Sequence, residues 1–157
     1  MNASAWRADP DEAEAVARLL VAFRDENGKA WPSANAFLAT VERLIERDDT
    51  EFLLGAADAD SPPSGICQLR FRLSVWTAAD DCWLEDLYVL PGSRGRGVGE
   101  ALVDLALARA KTRGCRRVEL DTGESNERAL ALYRKLGFTD ESKGTGARDL
   151  LLGRKLD

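Results

Sequence analysis

Arg94-Gly95-Arg96-Gly97-Val98-Gly99 is the stretch that decides how this chain folds. Before it, residues 82–90 have the apolar and aromatic character of a strand, closed by Pro91-Gly92-Ser93. After it, residues 98–113 read as a helix. That helix is apolar on most sides, through Val98, Leu102, Leu105, Ala106, Leu107 and Ala110, with a polar stripe of Glu100, Asp104 and Lys111. Three glycines here expose successive backbone N–H groups where a helix begins. A helix start already has unpaired donors and the positive end of the helix dipole, so the arrangement suits a phosphate. The spacing predicts a strand–turn–helix unit that holds a phosphate-bearing cofactor.

Working outward, residues 117–121 read as the next strand. Residues 82–90, the helix and residues 117–121 then form a βαβ crossover and one parallel strand pair. Upstream, residues 4–8 suggest a short strand. Asp9-Pro10-Asp11-Glu12 is an N-cap, a helix-starting proline and an acidic first turn, followed by Ala13, Val16, Leu19, Leu20 and Phe23 at helical spacing. Gly28 stops that helix, and Ser33 opens a second one carrying Phe37, Val41, Leu44 and Ile45. Residues 51–57 read as a strand and residues 58–64 as a loop. Residues 65–75 alternate apolar and polar, which predicts an antiparallel strand with one wet face. A hairpin turn at residues 77–81 leads into residues 82–90. Downstream, residues 126–136 form a helix ended by Gly137, and residues 138–140 and 147–156 read as closing strands split by Gly144-Thr145-Gly146. The order β-α-α-β-β-β-α-β-α-β-β describes one domain, residues 1–157. Its class is α/β in the mixed α+β sense: a mostly antiparallel sheet with a parallel pair and helices on both faces.

Composition bounds the function. A chain of 157 residues with 45% hydrophobic content fits one domain with a real core. Its net charge of −5 argues against general nucleic-acid binding and suits a cationic amine substrate. Three well-separated cysteines, Cys67, Cys82 and Cys115, and no histidine give neither a disulfide framework nor a zinc site, so no metal is expected. Reduced cysteines, no signal-peptide pattern in residues 1–7 and no apolar run of about 18 residues point to a cytoplasmic protein that does not enter a membrane. Without histidine, a general base must be Asp, Glu, Tyr, Cys, Lys or water.

Three glycine codes compete for the run. A P-loop closes on Lys-Ser or Lys-Thr, and residues 95–102 contain no lysine. The dinucleotide fingerprint G-x-G-x-x-G finds Glu100 at its third position, although Asp121 stands in for its ribose-binding acid. The third code is Arg94-x-x-Gly97-x-Gly99, and here the sequence resembles the GNAT family of N-acetyltransferases, which use acetyl-coenzyme A. Four segments in order carry the resemblance: Leu84-Glu85-Asp86-Leu87-Tyr88-Val89-Leu90-Pro91, the run from Arg94 to Gly99, Val118-Glu119-Leu120-Asp121, and residues 126–138.

The resemblance implies a fold in which the parallel pair is central to the sheet and splayed, the strand before the glycine run being bulged and diverging from the next. Backbone groups of Leu87, Tyr88 and Val89 would take the acetyl carbonyl and the pantetheine arm. Arg94 and the amides of Gly95, Arg96, Gly97, Val98, Gly99 and Glu100 would cradle the pyrophosphate. Asn126 and Tyr133, seven apart on one helix face, would lie against the pantetheine arm and near the sulfur. Tyr133 would then protonate the leaving thiolate, since a phenol near pKa 10 stays protonated at neutral pH. Glu85-Asp86-Leu87-Tyr88-Val89 is similar to the strand of polyamine and diamine acetyltransferases, where a glutamate in this place serves as base. Period-two alternation puts Glu85 on the side of Leu87 if the bulge falls later, with Asp86 as fallback. Whether Glu85 takes the proton or only holds the cation stays open. The implied activity is direct acetyl transfer to a primary amine, a small amine or polyamine first, and a protein N-terminus, lysine or aminoglycoside otherwise. A non-catalytic acyl-coenzyme A-binding module is the reading from another class. Family members are often dimers, so a homodimer is one assembly to expect.

Overall fold

The computed structural model describes residues 2–141 and 144–157. They group into two compact units, residues 1–120 and 121–157. The first unit holds β1 (Ser4–Arg7), α1 (Ala13–Glu26), α2 (Ala34–Ile45), β2 (Thr50–Ala56), β3 (Gly65–Ser74), β4 (Ala79–Val89), α3 (Val98–Thr112) and β5 (Val118–Glu119). The strands lie in the order β1-β2-β3-β4-β5. The first three pairings are antiparallel, and β4 with β5 is parallel through Cys82↔Val118 and Trp83↔Glu119. A doubly wound nucleotide-binding sheet would be mostly parallel, so this topology sets the dinucleotide fingerprint reading aside.

Local chemistry explains the element starts. Asp9 and Glu12 form a reciprocal capping box over a short 3-10 turn that runs into α1. Ser33 Oγ accepts from Ala36 N at 3.1 Å and starts α2. The sheet is covered on both faces. Phe52, Leu54, Ile66 and Tyr88 join Val16, Leu19, Val41 and Ile45 of α1 and α2 in one core. On the other face α3 lies so close that a Cβ on Gly65 would stand 2.6 Å from Val98 Cγ1 and 2.9 Å from Leu102 Cδ1. This double cover corrects the single wet face expected for residues 65–75. Gly65 to Leu69 are buried throughout, and alternation begins only at Arg70, where the cover ends.

A buried charge cluster also fastens α3. Glu51 points to the α3 side of β2 with its side chain fully buried, and it accepts from Arg109 Nε at 2.7 Å and Nη2 at 2.8 Å. Arg113 and Arg7 approach the same carboxylate at 3.4 and 3.9 Å. Burial pushes the Glu51 carboxyl up, but the Arg109 hydrogen bond and the positive charge of Arg7, Arg109 and Arg113 outweigh it and leave it below its ordinary range.

The second unit holds α4 (Glu127–Lys135), capped by Asn126 and ended at Gly137, whose φ is 91°. The closing strands expected over residues 138–140 and 147–156 do not form among the described residues; Ser142 and Lys143 of that region lie outside them. An isolated bridge, Glu141↔Arg148, is what forms instead. Leu150, Leu151 and Leu152 are consecutive and all exposed. Consecutive leucines cannot share one strand face, and no strand pairs alongside to take their backbone groups.

Candidate active site

β4 changes character at Asp86. Ile66 faces Tyr88 across the ladder and Gln68 faces Glu85, so two residues of β4, Asp86 and Leu87, oppose the single Cys67. This is a β-bulge, and Asp86 makes it with a φ of 57°, which aspartate tolerates better than most residues. The bulge expected from the resemblance is therefore present, but it falls before Leu87. The condition on which Glu85 would side with Leu87, a bulge falling later, is not met. Glu85 shares its face with Gln68 and Tyr88, the face of α1 and α2, and not with Leu87. The described ladder between β4 and β5 ends at Trp83 and Glu119, so Leu87, Tyr88 and Val89 lie beyond it.

The chain then turns through Pro91–Ser93 into the glycine run. Gly95 and Gly97 sit at φ 75° and 85°, and Gly97 is the N-cap of α3. A left-handed N-cap with no side-chain cap leaves the first turn of α3 open at its amide end. An added Cβ would meet nothing within 4 Å at Gly95 and only Ala3 Cβ at 3.7 Å at Gly97. The run thus presents backbone amides at the positive end of a 15-residue helix with one buried face, an arrangement that suits an anionic diphosphate. Arg96 reaches Asp58 at 3.5 Å with both side chains partly exposed, and Glu100 follows in the first turn.

Arg94 does not project freely. Its Nε donates to Val89 O at 2.9 Å, and its Nη2 contacts both oxygens of Glu26 at 2.8 and 2.7 Å. Its guanidinium stands 5.7 Å from the centroid of the Tyr88 ring, whose other neighbour is Phe23, stacked at 4.8 Å. The Tyr88 phenol lies near enough to Glu26 for each to act on the other's proton affinity. Burial first, and then Glu26, push the Tyr88 phenol up to about 12. The Arg94 and Tyr88 contacts hold the Glu26 carboxyl below its ordinary value. The last turn of α1 is thereby tied to the exit of β4, a link that sequence reading missed. Its only trace is an acid at the end of a helix, where the dipole disfavours it.

Glu85 is partly exposed and ion-paired, with Arg70 Nε 2.9 Å from its Oε1. In the second unit, Asn126 Oδ1 accepts from Ala129 N at 3.3 Å, so part of its side chain serves as the cap of α4. Tyr133 is buried, and its ring packs edge-on against Phe138 at 5.8 Å. Cys67 and Cys82 are buried, and burial raises both thiols, Cys82 to about 12, so neither is a ready nucleophile. Among the described residues no group of three or more His, Cys, Asp or Glu side chains could hold a metal, and no helix is long and apolar enough to cross a membrane.

Residues 16–138 match the model of the acetyltransferase (GNAT) family. A mycothiol acetyltransferase of Beutenbergia cavernae is 46% identical over 69 residues, which is 42% of this chain and 23% of that protein. A thialysine N-epsilon-acetyltransferase of Sus scrofa is 32% identical over 93 residues, 56% of this chain and 54% of that protein. The matched stretches thus span about half or less of these relatives' lengths. Among solved structures, one described as an acetyltransferase from Arthrobacter sp. FB24 is 30% identical, with a TM-score of 0.87 over 97% of this chain and 95% of that one.

Proposed function

Because this chain belongs to the GNAT acetyltransferase family, we propose that it moves the acetyl group of acetyl-coenzyme A directly onto a primary amine. The observation that carries the reading is the uncapped first turn of α3, opened by left-handed Gly95 and Gly97 and placed just after a bulged strand. Diphosphate would sit on the amides from Gly95 to Glu100, and the backbone of Leu87, Tyr88 and Val89 would take the pantetheine arm and the acetyl carbonyl. Arg94 would act from its place between Val89 O and Glu26, and Arg96, the more exposed of the two arginines, would meet the diphosphate from outside. The relatives described above are named for thialysine and mycothiol, and in the thialysine case the name specifies transfer to nitrogen.

The chemistry follows from the groups present. The acceptor arrives as ammonium and must lose a proton before its nitrogen can attack. Glu85, acting directly or through water, accepts that proton. The nitrogen then attacks the thioester carbon, and an amide N–H at the bulge takes the charge that develops on the carbonyl oxygen. The C–S bond breaks and the Tyr133 phenol gives its proton to the leaving thiolate, while the nitrogen gives up its second proton, which through water restores the phenol; the proton held by Glu85 passes to solvent. Asn126, at the start of the helix that carries Tyr133, would contact the pantetheine arm with its remaining amide group. We take residues 1–157 to act as one domain, in the cytoplasm, with a homodimer as the expected assembly. Thiol release from acetyl-coenzyme A across a panel of primary amines tests the proposal. Amine-dependent release with matching N-acetyl product is expected. Tight coenzyme A binding with intact thioester under every amine would leave the non-catalytic binding module as the correct reading.

A further inference from the structure

The face of the sheet that carries Glu85 also carries a row of donors. Gln68, Arg70 and Arg72 alternate along β3 and so point to one side, with Gln68 in register with Glu85 and Arg70 with Trp83. The Arg70–Glu85 pair leaves 44% of the arginine side chain and 27% of the glutamate exposed. The Arg72 guanidinium stands 6.0 Å from the centroid of the Trp83 ring. Gln68 is 5% exposed, and its Nε2 is buried without a hydrogen-bond partner among the described residues. Its neighbours locate it. Ile66 along the strand and Phe52 across the ladder belong to the apolar core under α1 and α2, whereas Arg70, next on the same face, is exposed. Gln68 is therefore the last polar group before the core, directly beside the proposed ammonium site. A buried amide without a partner is costly to keep, and methionine would fill its volume without that penalty.

Charge decides what such a row can receive. A simple alkylammonium that displaced Arg70 from Glu85 would leave the guanidinium without its carboxylate. A polyamine would bring more positive charge toward Arg70 and Arg72. A zwitterion does neither, because its ammonium replaces Arg70 on Glu85 while its carboxylate replaces Glu85 on Arg70. Resting on the acetyl-transfer reading above, we infer that the acceptor is an amine that also bears a carboxylate, an amino-acid-like molecule, with Arg70 and Gln68 donating to the carboxylate. Gln68 Nε2 gains its missing partner only when that carboxylate is bound. Charge-assisted contacts of this kind discriminate strongly against an analogue lacking the group, since the site's own polar atoms are then stranded.

The test compares matched acceptors, each ω-amino acid from glycine to 6-aminohexanoate against the alkylamine of the same chain length. At least one amino acid should exceed its alkylamine by about tenfold or more in kcat/KM, which corresponds to about 1.4 kcal/mol. Arg70→Met and Gln68→Met should pull that ratio toward one, while Arg70→Lys keeps part of it. Calorimetric affinity for coenzyme A and the melting temperature report separately on cofactor binding and folding in each variant. Alkylamines used as well as, or better than, the amino acids along the whole series would overturn the inference and leave acetyl transfer standing. A preference unmoved in both methionine variants would overturn it too. Thioester left intact with both series would overturn the acetyl-transfer reading, and this inference with it.

Discussion

Replacing Glu51 with glutamine is the sharpest probe of how this sequence positions its site. The carboxylate is fully buried and takes two short bonds from Arg109, with Arg113 at 3.4 Å and Arg7 at 3.9 Å. Glutamine keeps the volume but removes the charge that balances three guanidinium groups. Breaking a buried pair by removing one partner typically costs about 3–5 kcal/mol. Arg109 and Arg113 keep 27% and 25% of their side chains exposed, so water recovers part of their solvation. We therefore expect a loss of about 2–3 kcal/mol, or about 4–12 °C in melting temperature for a chain of this size. Urea denaturation of Glu51→Gln, Arg109→Met and the double variant gives the coupling directly, expected at about 1–3 kcal/mol. The sign with pH is fixed as well. The folded carboxyl lies below its unfolded value, so the stabilisation is full above the unfolded pKa of about 4.3 and fades as pH falls through the folded one. The gap between wild type and Glu51→Gln should therefore close in acid. A coupling under about 0.5 kcal/mol, or a gap that widens in acid, would refute the charge-cluster account.

Gly65→Ala should destabilise by about 1–3 kcal/mol in a urea melt, because its Cβ would lie 2.6 Å from Val98 Cγ1 in the closed space under α3. A neutral result would mean that α3 sits further from the sheet. Spectrophotometric titration should show one of the two tyrosines, Tyr88, ionising only near pH 12. Its phenol is raised on folding, so its contribution is complete below about pH 10 and is lost as pH climbs through 12. Two ordinary tyrosines, or a titration unchanged in Tyr88→Phe, would contradict the Glu26 contact. Tyr133→Phe should lower kcat by about tenfold or more with coenzyme A affinity kept, and a wild-type kcat would remove Tyr133 as proton donor.

The sequence carried the framework well, for reasons visible residue by residue. Asp9, Ser33, Gly28 and Gly137 punctuate helices through caps and left-handed turns, which depend on a few neighbouring residues and so can be read locally. The glycine run gave away the α3 turn for the same reason. What stayed hidden depends on contacts distant in sequence. Glu51 looked like any strand acid until Arg109 of α3 and Arg113 at its C-cap were brought against it. Glu26 and Arg94 are 68 residues apart and meet only in the fold. The bulge position was invisible because either placement preserves the apolar pattern, and a one-residue difference decides whether Glu85 sides with Leu87. The closing strands failed because apolar composition alone does not provide a pairing partner.

The central claim is that backbone amides opening α3 hold the diphosphate of coenzyme A. Calorimetric titration of the folded protein with coenzyme A and, separately, with pantetheine tests it most directly, because the two differ in the diphosphate-bearing nucleotide. Coenzyme A should bind about 100-fold more tightly or better, equivalent to about 2.7 kcal/mol, and Gly97→Ala should remove much of that difference. Pantetheine binding as tightly as coenzyme A, or no heat from coenzyme A on well-folded protein, would contradict the claim.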